Sequence, residues 1–150
     1  MVWCSRARRM FSKVLVPVDG SDNSFRALKA AIFLSKKLEA KVTALHVIER
    51  APTVYIHPQK ELENLLRDYR RQSEQILEKC EAIGNDEGVE VKTTLIEGDV
   101  AAKITQYSEK ELFDMIVMGY RGSGRFKKMV LGSVSEKVLH QAKHSVLIVR

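Results

Sequence analysis

Cysteine is nearly absent. The chain has two in 150 residues, Cys4 and Cys80, far apart and in no C-x-x-C pair. That excludes a disulfide framework and a cysteine-built zinc site, and it fits a reducing, cytoplasmic compartment. Long apolar runs are absent too. Nothing approaches the roughly 18 residues that a membrane helix needs, so no membrane partner is expected. The head carries Arg6, Arg8 and Arg9 but no apolar stretch behind them, which is unlike a signal peptide. Residues 1–11 are read as an extension with Met10 as an alternative start, and residues 12–150 as one domain. The three prolines stand at the end of an apolar run (Pro17) and in one loop (Pro52, Pro58).

Several motifs are missing as well. No G-x-x-x-x-G-K-[S/T] occurs, which excludes a P-loop. The G-x-G-x-x-G pattern begins at Gly122 and Gly124 and fails at Lys127. A phosphorylatable receiver would need an aspartate after the third strand, where Ile96-Glu97-Gly98 stands. His46 and His57 have no evident nucleophile partner, so a hydrolase triad has no support. His140 and His144 share a helix face without a carboxylate or cysteine beside them, so no metal site is assigned.

What is present describes an ordinary folded domain: 45% hydrophobic, 29% charged, with net charge +6. The excess cations gather in the head and at Arg121, Arg125, Lys127 and Lys128. That invites an anion but is too sparse to indicate nucleic acid.

Continuous apolar runs mark strands at Val14–Val18, Lys41–Ile48, Phe113–Met118 and Ser145–Val149. Val89–Ile96 alternates and is read as a strand near a sheet edge. Helical spacing links Ala27, Leu28, Ala31, Ile32 and Leu38 in a first helix. In a second, long helix the face is Leu62, Leu65, Leu66, Tyr69, Ser73, Ile76, Leu77, Cys80 and Ile83, with Gly84 as its stop. Cys80 is thus read as a core residue. Asp99 caps a third helix. Val134, Val138, Leu139 and Ala142 mark the last helix, and Ser133 with Glu136 is read as a capping box.

The resulting βαβαβαβαβ order predicts an α/β fold: a five-stranded parallel sheet, strand order 3-2-1-4-5, helices on both faces. Ligands bind such sheets beyond the carboxyl ends, where the order reverses. Asp19 and Gly119 reach that point from strands one and four. Gly119, Gly122 and Gly124 then form a basic, glycine-rich loop that ends at Gly132-Ser133 and a helix N-terminus. Glycines permit close backbone approach, and a helix N-terminus attracts anions.

The spacing G-x2-G-x9-G-[S/T] at Gly119, Gly122, Gly132 and Ser133 resembles the ATP-binding branch of the universal stress protein family. VLVPVDGSDNS (14–24), LHVIE (45–49), EGDVAAKI (97–104), DMIVMGYRGSG (114–124) and LGSVSEKVL (131–139) match its segments in order, over about residues 12–150. Asp99 departs from the family's common proline, and Tyr120-Arg121 from its usual pair. The resemblance implies a flavodoxin-like, adenine nucleotide alpha hydrolase-like fold that binds ATP, or AMP or ADP, with Mg²⁺ on the phosphates. It implies Pro17, Val18 and Asp19 at the adenosine end and the Val47 backbone at the adenine. Met118 and Gly119 would lie by the ribose, and Gly122, Gly132, Ser133 and Val134 at the phosphates. It also implies a cytoplasmic homodimer through strand five, whose apolar edge invites pairing. Slow ATP hydrolysis and a chaperone-like dimer without nucleotide are the alternatives; no catalytic residue is assigned.

Overall fold

The computed structural model describes residues 11–49, 59–121 and 131–150. Cys4, Met10, Pro52, His57, Pro58, Gly122, Gly124, Arg125, Lys127 and Lys128 lie outside the described residues. Five strands are present: β1 (Lys13–Pro17), β2 (Lys41–Ile48), β3 (Val91–Glu97), β4 (Met115–Gly119) and β5 (Ser145–Val149). They alternate with helices α1 (Asp22–Leu38), α2 (Gln59–Asp86), α3 (Val100–Lys110) and α4 (Ser133–Gln141). All pairings are parallel, and the order is β3-β2-β1-β4-β5, as the alternation of elements predicts.

The apolar strands are explained by two cores. Successive side chains of a strand face opposite ways. Val14, Val16, Val42, Ala44 and Val117 point to one side, against Leu28 and Ile32 of α1 and Leu77 and Cys80 of α2. Leu15, Leu45, Ile116 and Met118 point to the other, against Ile104 of α3 and Val138 of α4. The amino edge is fastened by Asp114. Its Oδ2 accepts from the Ser12 N–H (2.7 Å), the Ser12 hydroxyl (2.9 Å) and the Lys13 N–H (2.8 Å), which ties the start of β1 to that of β4.

Two helix starts carry side-chain caps, that of Asp99 as expected. Ser21 caps α1, accepting from the Ser24 N–H at 3.2 Å, and Asp99 caps α3, accepting from Ala102 at 2.9 Å. The expected stop at Gly84 is overturned, because α2 continues to Asp86. The helix ends in a Schellman motif: the Val89 N–H reaches Gly84 O (2.9 Å) and the Gly88 N–H reaches Asn85 O (3.0 Å). Gly88 supplies the left-handed residue at φ +70°. Gly84 is instead a close-approach glycine, for a Cβ there would lie 2.5 Å from Val91 Cγ2 and 2.6 Å from Val89 O.

The long apolar face of α2 is only half used. Ser73, Leu77 and Cys80 are buried, whereas Leu65, Leu66 and Tyr69 are exposed. Cys80 is the core residue expected. Burial, with the Glu81 carboxylate adding to it, pushes its thiol from 9.0 up to about 12. The neutral form is therefore favoured in the folded state. That contribution is complete below pH 9.0 and is lost as the pH rises towards about 12. In a Cys4→Ser background, Cys80 should resist alkylation near neutral pH and react once urea unfolds the chain. Equal labelling rates with and without urea would contradict this.

Candidate functional site

The central strand ends first at the carboxyl edge. β1 pairs with β2 as far as Pro17↔Leu45, and with β4 only as far as Leu15↔Ile116. Its neighbours run on, β2 beside β3 to Ile48↔Glu97 and β4 beside β5 to Gly119↔Val149. A cleft therefore opens at the carboxyl edge between β2 and β4, at the point of order reversal where open parallel sheets take ligands.

Pro17 and Val18 are buried at its base. Val18 is held twice: its N–H donates to Leu45 O (2.8 Å), and its carbonyl lies 2.7 Å from His46 Nδ1. A carbonyl only accepts, so Nδ1 carries the proton. The Leu45 carbonyl faces β1, while the Ile48 carbonyl faces the other way and takes the Gly98 N–H at 3.0 Å. Main-chain groups alternate sides along a strand. Those of Val47 consequently point towards the β1 side, beyond the last paired residue of β1, while its side chain is buried in the core on the α3–α4 face.

Asp19 is exposed at the rim. Its Oδ1 accepts from the Ser21 N–H (3.0 Å) and hydroxyl (2.6 Å), so the carboxylate shapes the turn into α1. Gly20 completes that turn at φ +83°.

On the other wall Met118 is buried. Gly119, read in the sequence as following the strand, is the last residue of β4. A Cβ on it would lie 2.8 Å from the main chain of Asn23 in α1. The Gly119 carbonyl accepts from Ser135 Oγ at 2.9 Å. The Tyr120 N–H donates to Val149 O (2.7 Å), and the Tyr120 carbonyl accepts from the Gly132 N–H (2.9 Å). The chain thus leaves β4 and returns to α4 at one place, with the α4 N-terminus tethered to the strand end. Arg121 and Arg150 lie 5.6 and 4.8 Å from the centre of the Tyr120 ring, within cation–π range.

The capping box at Ser133 is overturned. The Glu136 N–H donates to Gly132 O at 2.8 Å, so Gly132 is the N-cap and Ser133 the first helical residue. Glu136 then sits one position too late to close a box. A glycine N-cap has no side chain to offer, and the cap makes no side-chain hydrogen bond. The early N–H groups of α4, from exposed Ser133 and half-buried Val134 onward, face the anion-attracting end of the helix.

The structure thus brings Pro17, Val18, Asp19, Val47, Met118, Gly119, Gly132, Ser133 and Val134 to one edge of the sheet; Gly122 lies outside the described residues. Sequence reasoning missed two positioning residues. His46 signalled itself only as a polar side chain late in an apolar strand. Ser135 gave no signal, because its partner is 16 residues away. A shallow depression of about 370 Å³, bordered by Phe11, Leu112, Phe113, Asp114, Lys143 and His144, lies at the opposite, amino edge. Among the described residues there is no cluster of three or more His, Cys, Asp or Glu fit for a metal. No helix among them is long and apolar enough to cross a membrane.

Residues 10–150 match the model of the universal stress protein family. Universal stress protein MJ0531 of Methanocaldococcus jannaschii is 33% identical over 94% of this chain and 83% of its own length. Universal stress protein YxiE of Bacillus subtilis is 35% identical over 94% of this chain and 100% of its own. The solved structure of the protein MJ0577 of M. jannaschii superposes with a TM-score of 0.81 at 30% identity, covering 93% of this chain and 96% of that one. Two more distant proteins share the fold. A universal stress protein solved with cAMP has a TM-score of 0.72 at 22% identity over 94% and 98% of the two chains. One from Archaeoglobus fulgidus solved with dAMP has 0.68 at 19% over 94% and 99%. The sheet order, the cleft beside β1 and the sequence match agree: this chain belongs to the universal stress protein family.

Proposed function

We propose that the carboxyl-edge cleft binds an adenine nucleotide, ATP foremost, and that occupancy signals through a homodimer in the cytoplasm. The observation that carries this reading is the pair of unlike walls. On one side, the Val47 main chain points past the end of β1, offering one donor and one acceptor. The Watson–Crick edge of adenine presents the complementary pair. On the other, the α4 N-terminus has a glycine cap without a side-chain hydrogen bond, which suits phosphate.

In this arrangement Pro17, Val18 and Asp19 border the adenosine, and Met118 and Gly119 lie beside the ribose. Gly122, Gly132, Ser133 and Val134 hold the phosphates. Mg²⁺, if it accompanies ATP, is held chiefly by the phosphates. The relatives solved with cAMP and dAMP support the choice of an adenine nucleotide. For the dimer, the support is β5, an edge strand with Leu147 exposed, the kind of apolar edge that pairs with another chain.

Calorimetry with ATP, AMP and a non-hydrolysable ATP analogue tests the binding. Saturable heat is expected with ATP. Gly132→Val should weaken ATP at least about tenfold, or roughly 1.4 kcal/mol, by crowding the phosphate end. Absence of heat from the folded wild-type protein would dispose of the proposal, and unaltered affinity in Gly132→Val would move the site elsewhere. Light scattering tests the dimer, and a monomer would refute it.

A further inference from the structure

The amino-terminal half of α2 carries an apolar stripe that is largely exposed among the described residues. Ile76 marks the level at which the helix passes the carboxyl edge: its Cδ1 lies 3.0 Å from where a Cβ on Gly20, in the turn after β1, would stand. From Ser73 towards the C-terminus the helix is buried against β2 and β3. From Gln59 to Gln72, roughly 21 Å at about 1.5 Å per residue, it extends beyond that edge. Leu65, Leu66 and Tyr69 in this half are 39%, 56% and 48% exposed, and Leu62 is half-buried.

These residues continue the buried stripe. At about 100° per residue, Leu62 and Cys80 share one direction, with Leu66, Tyr69 and Ser73 close beside them. The projecting stripe therefore keeps the orientation of the half that is packed on the sheet.

We propose that this stripe is covered by the same stripe of a second copy of the chain, the two helices running antiparallel across a two-fold axis near Leu65 and Leu66. Charge order identifies the occupant. The tip bears Glu61 and Glu63 with Lys60, and is net negative. The base bears Arg67, Arg70 and Arg71 with Asp68, and is net positive. Only antiparallel pairing sets one copy's tip against the other's base, with Glu61 near the partner copy's Arg70 and Leu62 near its Tyr69. A parallel pair would oppose like charges along its whole length. A two-fold interface must be self-complementary in this way. The contact is separate from β5, which lies at the far edge of the sheet from α2, and it would set the carboxyl edges of two domains facing one another.

Sedimentation equilibrium of the whole protein tests the pairing, with far-ultraviolet circular dichroism to verify folding. Leu147→Lys alone, which removes pairing through β5, should leave a dimer held by α2. Leu66→Glu added to Leu147→Lys should yield a monomer. Glu61→Arg or Arg70→Glu alone should weaken association, and the two together should restore it, because each copy then again presents opposite charges to the other. Restoration distinguishes a second copy from any other occupant. If Leu66→Glu leaves the mass of the Leu147→Lys protein unchanged, or if the double charge exchange is no better than either single one, the pairing is wrong. Nucleotide affinity plays no part in these outcomes.

Discussion

Gly119→Val is expected to lower the free energy of unfolding by about 3 kcal/mol, the upper part of the range for overpacking a filled interior, and to abolish nucleotide binding. The cause is local. Even the first carbon of the new side chain would stand 2.8 Å from both the carbonyl carbon and oxygen of Asn23. Those are main-chain atoms, so no side-chain rotation relieves the conflict. Either β4 or the start of α1 must shift. Asn23 lies one residue before Ser24, whose N–H and hydroxyl secure the turn through Ser21. Displacement there would carry Asp19 and Gly20 with it. On the other side, the Gly119 carbonyl would lose its alignment with Ser135 Oγ, which tethers α4. The turn after β1 and the wall formed by α4 both depend on this glycine. Urea unfolding followed by circular dichroism measures the first effect, and calorimetry with ATP measures the second. A midpoint within error of wild type, at unchanged denaturant dependence, would show that the contact is not limiting. Gly119→Ala should have the same sign and a smaller size.

Gly84→Val should be as damaging to stability, about 3 kcal/mol, yet act by a different route. A Cβ at position 84 would meet Val89 O at 2.6 Å and Val91 Cγ2 at 2.5 Å. The valine side chain could turn, but the carbonyl of Val89 is fixed by the Schellman turn that ends α2. The usual escape from a clash, a rotamer change, is therefore closed on that side, and α2 must lift from β3. This lies at the amino edge, away from the cleft. Affinity for ATP in the fraction that stays folded should therefore remain within about twofold, since binding reads only the folded population. Loss of affinity equal to that of Gly119→Val would mean that the two edges are coupled through α2. Retained stability would mean that the turn after Asp86 gives way at little cost.

The fold was largely legible because its signals are local and repeated. Val14–Val16 and Ile116–Met118 are continuously apolar since both faces of the central strands are covered. Val91–Glu97 shows its polar face because β3 is an edge. The candidate site was legible as a gathering of residues, with Gly119, Gly132 and Asp19 all found at the carboxyl edge. Its hydrogen bonding was less so. Ser133 has the residue type of a cap, yet the register of the first helical bond assigns that role to Gly132. Gly84 resembles a stop, yet it is there for the approach of β3.

By itself, then, the sequence determined the order of elements, their parallel arrangement and the edge at which a ligand would sit. These depend on the period of apolar residues and on handed connections, both properties of neighbours along the chain. Only the tertiary structure decided three other matters: that β1 ends early enough to open a cleft beside Val47, that His46 and Ser135 secure its walls, and that half the stripe of α2 lies beyond the sheet. Each depends on where residues far apart in the chain come to rest against one another, and no local period encodes that.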